Sequence, residues 1–357
     1  MAAQILVTGA GGYIGGSIVA GLLQWLSEGR IKDVQIHAAV RSQEQARSLS
    51  GLGVNVVCLD LSDRTLVQNY LLSHGIGIVI NTATSIDQTV ALNLIAGLSA
   101  RRDATGEESY FIHTSGLSAF DEITGWPFGR VSDSDPVYEL EKQSMDNYVV
   151  RQVDTFIVEQ CKAAGVAAFM IFPPTLHGRG SGTWNTLSPQ IPALINASIK
   201  ERKVYKFANN RKASLAHISD ITTFFAQLVE AILRGDQLPV CEDGYFFLVS
   251  HIVPWWDILE RLAARLHARG LVDSPEVSMW PSEEVVAEAV GVPVRFAHSI
   301  WNASPDVSCE KRSIIGWQPE WNRQRFLERL DDEIDDFLEL GLPKSSLLES
   351  LRPKPVH

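Results

Sequence analysis

The sequence predicts an α/β fold, a doubly wound parallel sheet followed by a smaller C-terminal lobe. Three observations predict it. Short β-rich runs alternate with helical stretches through the first half. A glycine-rich segment joins the first run to the first helix. The second half loses that regular alternation and reads as a separate, more helical unit.

The elements follow in order. Gln4–Thr8 is an apolar run, and the helical stretch 15–26 comes after its glycines. Further strands are read at 34–40, 54–59, 77–82 and 109–115, with helices at 43–52, 64–73 and 87–99 between them. Such alternation implies βαβ units and parallel pairing. The stretch 150–164 is a strong helix stopped by Gly165, and the sixth strand, Ala167–Phe172, is stopped by Pro173-Pro174. Beyond it, residues 178–185 are rich in Gly, Ser and Thr and read as a loop over a site. Helices are expected at 190–203, 218–233, 255–268 and 325–340. The third of these carries Ile258, Leu259, Leu262 and Leu266 on one face. The acidic run 331–336 is a solvated face of the last.

Composition narrows the function. The chain has 357 residues, 45% of them apolar and 20% charged, which suits a globular protein of about two domains. Its formal charge of -11 argues against nucleic acid or an anionic membrane surface as partner. Four scattered cysteines offer no CxxC pair, so neither a disulfide framework nor a metal site is read. A reducing, cytoplasmic setting is expected. No signal peptide is read at the start, and no stretch reaches the ~20 apolar residues that span a bilayer. A small-molecule substrate is the expected partner, and a homodimer is left open.

The chemistry starts at Thr8-Gly-Ala-Gly-Gly-Tyr-Ile-Gly15. Gly9 suits the tight turn, Gly12 a close approach of backbone to a pyrophosphate, and Gly15 the packing of helix on strand. The helix N-terminus adds free N–H groups and a partial positive charge. In a strand–turn–helix context this is a Rossmann-type dinucleotide site. The second strand ends Ala38-Ala-Val-Arg-Ser42, without the acid that accepts from an NAD ribose. Arg41 there suits a 2′-phosphate, so NADP is expected in preference to NAD.

The TGxxGxxG form resembles the extended and atypical short-chain dehydrogenases/reductases, the group with the NAD-dependent epimerase/dehydratase fold. Fungal epimerase-like proteins are the nearest resemblance within it. Further segments match in order: Cys58-Leu-Asp-Leu61, Asn81-Thr-Ala83, Phe111-Ile-His-Thr-Ser115, Phe172-Pro-Pro-Thr-Leu-His-Gly178, His217-Ile-Ser-Asp220 and Ile315-Gly-Trp-Gln-Pro319. The resemblance implies cofactor contacts from Gly9, Gly12, Tyr13, Ile14, Gly15, Arg41, Asp60, Leu61, Thr82, Ala83, Pro173 and Thr175. It implies a domain formed mainly by residues 1–175, with a return around 215–235 where the chain re-enters the sheet near His217–Asp220. Residues 176–357 then form mainly the substrate lobe.

The resemblance also implies a Ser, a Tyr and a Lys as catalytic groups. The Tyr exchanges a proton with the substrate oxygen, and the Lys lowers the phenol pKa from ~10. Ser115 takes the Ser position. Tyr138 and Lys142 form a YxxxK pair whose spacing puts both on one helix face. Counting back from Gly165 instead reaches Tyr148, with Gln152 where the Lys belongs. With a working triad the expected reaction is NADP-dependent oxidoreduction or epimerisation of a small, fairly apolar metabolite. Without it, the scaffold serves a non-redox isomerase or lyase, or a binding protein that senses NADP(H). His113 and His177 are substitute acid–base candidates. Trp184, Trp255 and Trp256 are candidates for an apolar substrate wall, weighed against ordinary core roles.

Overall fold

The computed structural model describes residues 2–344. The first half runs β1 (Ala3–Thr8), α1 (Tyr13–Ser27), β2 (Val34–Val40), α2 (Gln43–Leu49), β3 (Asn55–Cys58), α3 (Arg64–Ser73), β4 (Ile76–Asn81), α4 (Gln88–Thr105) and β5 (Tyr110–Thr114). Then come β6 (Val131–Ser132), α5 (Val137–Ser144), α6 (Val149–Ala164), β7 (Ala167–Phe172) and β8 (Thr175–His177). The remainder is α7 (Gln190–Lys200), β9 (Val204–Lys206), β10 (Lys212–His217), α8 (Ile218–Arg234), β11 (Tyr245–Phe247), β12 (His251–Pro254), α9 (Trp255–Ala268), β13 (Val277–Met279), α10 (Glu283–Val290), α11 (Val294–Trp301), β14 (Val307–Ser308), α12 (Arg312–Ile315), α13 (Arg323–Glu328) and α14 (Leu330–Leu340).

Seven strands form the main sheet in the order β11-β7-β5-β4-β1-β2-β3, and every pairing is parallel. Strands buried on both faces read as continuous apolar runs, as Ile5, Leu6 and Val7 do. Alternate side chains go to opposite faces. Ile5 and Val7 pack with Ile18 and Leu22 of α1 and Phe224 of α8, whereas Leu6 packs with Leu94 of α4 and Ile157 of α6. The strand order reverses between β1 and β4, and that switch point opens a crevice at the strands' C-terminal ends.

The seventh strand corrects an expectation. The stretch leading into His217–Asp220 was expected to re-enter this sheet. Instead β10 belongs to a second sheet, β12-β10-β8, antiparallel to β12 and parallel to β8. α8 does return to the first unit, where Thr222 closes on Gly21 of α1. The strand that re-enters is the three-residue Tyr245–Phe247, too short to stand out in the sequence.

The remaining core joins α7, α9 and α14 to β9, β10 and β12, with Leu194, Leu259, Leu330 and Val253 buried together. The expected helix 325–340 is two helices, broken at Arg329 between α13 and α14. Among the described residues no helix is long and apolar enough to cross a membrane. The last thirteen residues of the expected lobe, 345–357, lie outside the described residues.

Candidate active site

Two cavities share the crevice. The first, of about 520 Å³, is walled by Gly9, Gly11 and Gly12 of the β1–α1 turn, the end of β2 with Arg41, Asp60 and Leu61 after β3, and Thr82 to Thr84 after β4. Gly9 has φ +67, and a Cβ there would lie 2.8 Å from the Thr82 carbonyl oxygen. Only glycine takes that turn without strain. A Cβ at Gly15 would lie 2.4 Å from both the Gly9 oxygen and Thr82 Oγ1, so α1 sits against the turn on bare backbone. Asp60 takes both the backbone N–H and the hydroxyl of Ser62 on Oδ1, and these bonds hold its carboxyl below the usual range. A groove of peptide backbone at a helix N-terminus, with a cation at its far rim, fits a dinucleotide diphosphate.

The second cavity, of about 260 Å³, begins where the first ends, across the Gly12–Tyr13 and Thr84–Ser85 bonds. Pro173, Pro174, Leu176, Phe296 and Ile300 supply an apolar wall, and among the described residues that line it none is charged. Ser115, Ser118 and Tyr148 form its polar end. Ser115 leaves β5, where its N–H donates to the Ile171 carbonyl of β7. Tyr148 is the N-cap residue of α6, and its hydroxyl lies 3.1 Å from Ser118 Oγ. Burial pushes the Tyr148 phenol above its usual value, while the Ser118 bond and the nearby Arg151 charge pull it back. Arg151 is fully buried, with its guanidinium 5.3 Å from the Tyr148 ring centroid. It donates to the backbone carbonyls of Ser144, Ala119 and Thr124. A buried cation on one helix thereby pins the loop that follows β5.

A model of the NmrA-like family matches residues 1–96 of this chain. The oxidase ucsJ of an Acremonium species is 24% identical over 344 residues, covering 89% of this chain and 93% of that protein. The dTDP-glucose 4,6-dehydratase of Bacillus anthracis, solved in complex with NAD, superposes with a TM-score of 0.64 at 12% identity, over 95% of this chain and 98% of its own. The UDP-glucose 4-epimerase of Thermotoga maritima, solved with UDP-glucose, gives 0.62 at 11% identity, over 94% and 99%. Vestitone reductase of alfalfa gives 0.58 at 18% identity, over 95% and 99%. The chain has the extended short-chain dehydrogenase/reductase fold.

Within that fold the residues chosen from the sequence separate cleanly. Gly9, Gly12, Arg41, Asp60, Leu61, Thr82 and Ala83 wall the first cavity. Tyr13, Ile14, Pro173 and Thr175 line the second, and Gly15 packs beneath the turn. The Tyr13 hydroxyl donates to the His177 and Gly178 carbonyls, tying α1 to the segment after β8.

Ser115 lines the second cavity, but Tyr138 and Lys142 are not brought to it. They lie on α5, a separate short helix. The Tyr138 hydroxyl donates to Glu159 Oε1 (3.1 Å), and Lys142 donates to Glu159 (2.9 Å) and to Tyr138 (3.2 Å). These bonds also raise the Lys142 pKa. The pair thus closes on the outer flank of α6. Tyr148 lines the cavity where Tyr138 does not, and Gln152 turns away, its amide 3.5 Å from the Asp146 carbonyl.

The tryptophan wall is also corrected. Trp255 is buried in the lobe's own core, the Lys206 ammonium stacks 3.8 Å over Trp256, and Trp184 packs under Lys344 at 3.9 Å. His113 is buried behind Ser115, and His177 packs among His217, His251 and Phe326. Neither lines the second cavity. The sequence reading missed Ser118, Arg151 and Asp154. A signal existed for the last two: polar residues three apart on the face of α6 that also carries Val150, Val153 and Ile157.

Proposed function

We propose that the protein is an NADP-dependent oxidoreductase that interconverts a hydroxyl and a carbonyl on a small, uncharged and largely apolar metabolite. One observation carries this. A backbone-lined groove that fits a dinucleotide opens directly into an uncharged cavity whose polar end is Ser115, Ser118 and Tyr148. Gly9 to Gly12 and the α1 N-terminus would hold the diphosphate, and Arg41 the 2′-phosphate. A nicotinamide bound this way supplies a hydride donor or acceptor. Tyr148 stays protonated at neutral pH, because burial disfavours the phenolate. It therefore donates a hydrogen bond to the substrate oxygen and is the acid when a carbonyl is reduced. The apolar wall desolvates the body of the substrate. A nucleotide sugar, with its diphosphate, finds no cation among the described residues that line this cavity.

A non-redox isomerase or lyase on the same scaffold is the second reading. Gln152 favours it, since a neutral amide stands where a lysine would lower the phenol pKa. The test measures thermal stabilisation by NADPH and NADH, then turnover on a panel of apolar ketones and secondary alcohols. A larger shift with NADPH and an absorbance change of the nicotinamide are expected, because a ligand that binds only the folded state raises its stability. Product formed with no change in the nicotinamide absorbance would replace the oxidoreductase with the isomerase.

A further inference from the structure

Of the hydroxyl residues that line the reaction cavity, Tyr148 and Ser115 differ in what lies behind them. Ser115 Oγ donates to Asp154 Oδ2 at 2.7 Å, and both residues are buried. With its proton committed inward, the serine oxygen offers lone pairs to the cavity. It can accept a hydrogen bond from a substrate hydroxyl, whereas a carbonyl oxygen brings no proton for it.

Behind Asp154 lies a closed set of polar groups from three elements. Glu141 of α5 is fully buried, and its Oε2 accepts from the Tyr245 hydroxyl at 2.9 Å. Glu141 Oε1 and Asp154 Oδ1 are each reached by no donor among the described residues. The two carboxyls are close enough to feel each other: burial first, and then the Asp154 charge, raise Glu141 well above its usual value. Glu141 is held further above its usual value than Asp154, so above about pH 8 a single proton stays on Glu141 and Asp154 is the carboxylate. His113 of β5 completes the set. Asn81 Oδ1 accepts from Thr8 Oγ1 and from the Ala83 N–H, which turns its amide nitrogen toward His113 Nδ1 at 3.1 Å. The imidazole proton therefore sits on Nε2, 3.6 Å from Asp154 Oδ1. Burial holds that imidazole neutral. Arg151, on Asp154's own helix, supplies the positive charge that balances one carboxylate.

We propose that Asp154, acting through Ser115, accepts the proton when this site oxidises a secondary alcohol, and that Glu141 and His113 hold it in place for that task. The proposal rests on the oxidoreductase reading above. In the step, the alcohol O–H bond breaks and its proton passes to Ser115 Oγ, while the serine's own proton moves to Asp154 Oδ2. The carbinol C–H electron pair leaves as hydride to the oxidised nicotinamide nucleotide, and the carbonyl product forms. One carboxylate becomes a carboxylic acid, so charge and atoms balance. Tyr148 donates to the alcohol oxygen throughout, so the site binds an alcohol with one donor and one acceptor.

Burial pushes the Asp154 carboxyl up to about 8, against the Ser115 bond, the Glu141 contact and the Arg151 charge. Tyr148 and Tyr245 also face it and remain neutral phenols at that pH. An acid with a raised pKa is a competent base only above that pKa. Alcohol oxidation should therefore climb with pH through about 8 and then level off.

The test uses the full chain and two readouts. Infrared spectra above the Asp154 pKa of about 8 should show a buried protonated carboxyl in the protein without nucleotide. It should be lost in Glu141→Gln and kept in Asp154→Asn. Absence of that band in the wild type overturns the Glu141 proton and the proposal. With NADP⁺ and 1-phenylethanol or cyclohexanol, Asp154→Asn should lower kcat by roughly 10²-fold or more and remove the rising limb of the pH profile. NADPH affinity, read by fluorescence, should be unchanged, which separates this loss from misfolding. Ser115→Ala should show the same loss, and the double variant no further one. Retention of the wild-type rate and pH profile in Asp154→Asn overturns the proposal and leaves the oxidoreductase standing. If the wild type moves hydride with no alcohol or ketone of the panel, the oxidoreductase reading fails and this step fails with it.

Discussion

The two cavities of the crevice are built on different principles. The cofactor cavity is made largely of peptide backbone at four successive β–α turns, and its demands concern φ and the absence of a Cβ. The reaction cavity is made of side chains from distant segments: Ser115 and Ser118 after β5, Tyr148 at the start of α6, Pro173 to Leu176 after β7, and Phe296 and Ile300 of α11. A backbone cradle is strict at the glycines whose Cβ would meet main chain, Gly9 and Gly15, and less so at Gly11, which meets only the Gln45 side chain. A side-chain constellation depends on how helices such as α5 and α6 dock, so one turn of helix decides which tyrosine faces the substrate.

The sharpest break of this comparison is a pair of conservative changes. Tyr148→Phe should reduce kcat by roughly 10²–10⁴-fold, the usual contribution of a positioned acid or base. Tyr138→Phe should stay within a factor of about two, because its hydroxyl only joins an exposed Lys142–Glu159 pair, and such pairs are worth little. Steady-state rates on one substrate decide it. The reverse ranking would return the YxxxK pair on α5 to the reaction.

The contrast also explains what could be read from the sequence. The glycines at 9, 12 and 15 and the arginine at 41 were legible because each answers a local constraint at a fixed spacing. So were the strands 34–40 and 167–172, whose apolar runs are bounded by polar or turn-forming residues. Tyr148 was legible only as an alternative, counted back from Gly165, because the choice between it and Tyr138 depends on the 3-10 turn Met145–Asn147 that separates α5 from α6. Without that break, 137–164 reads as one long helix, and the YxxxK match on its first half competes with the true cavity residue. β11 was missed for another reason: Tyr245, Phe246 and Phe247 are only three residues, and their strand character comes from pairing with β7.

The next effect is on stability and comes from the backbone side of the comparison. Gly15→Ala places a methyl 2.4 Å from the Gly9 carbonyl oxygen, which is main chain and cannot rotate aside. Overpacking of this kind typically costs about 1–3 kcal/mol. Urea unfolding should show that loss, and NADPH affinity should fall with it, since the N-terminus of α1 has to move. Gly51→Ala is the matched control. Nothing lies within 4 Å of its Cβ position, and a change within about 0.5 kcal/mol is expected. Equal destabilisation by the two would mean that close packing at the turn is not what selects glycine there.

The smallest effect concerns Arg41, the one cofactor residue whose side chain rather than backbone is invoked. It is exposed at the end of β2, so water competes for any phosphate it holds, and most of the affinity should come from the glycine turn. Arg41→Ala should weaken NADPH about tenfold, near 1.4 kcal/mol, and leave NADH almost unchanged. Fluorescence titrations of both nucleotides measure the ratio directly. A parallel loss for both would assign Arg41 to the shared part of the nucleotide, and the choice between NADP and NAD would then have to come from the rest of the cavity wall. That result would extend the backbone principle to the whole cofactor cavity, leaving side-chain recognition to the reaction cavity alone.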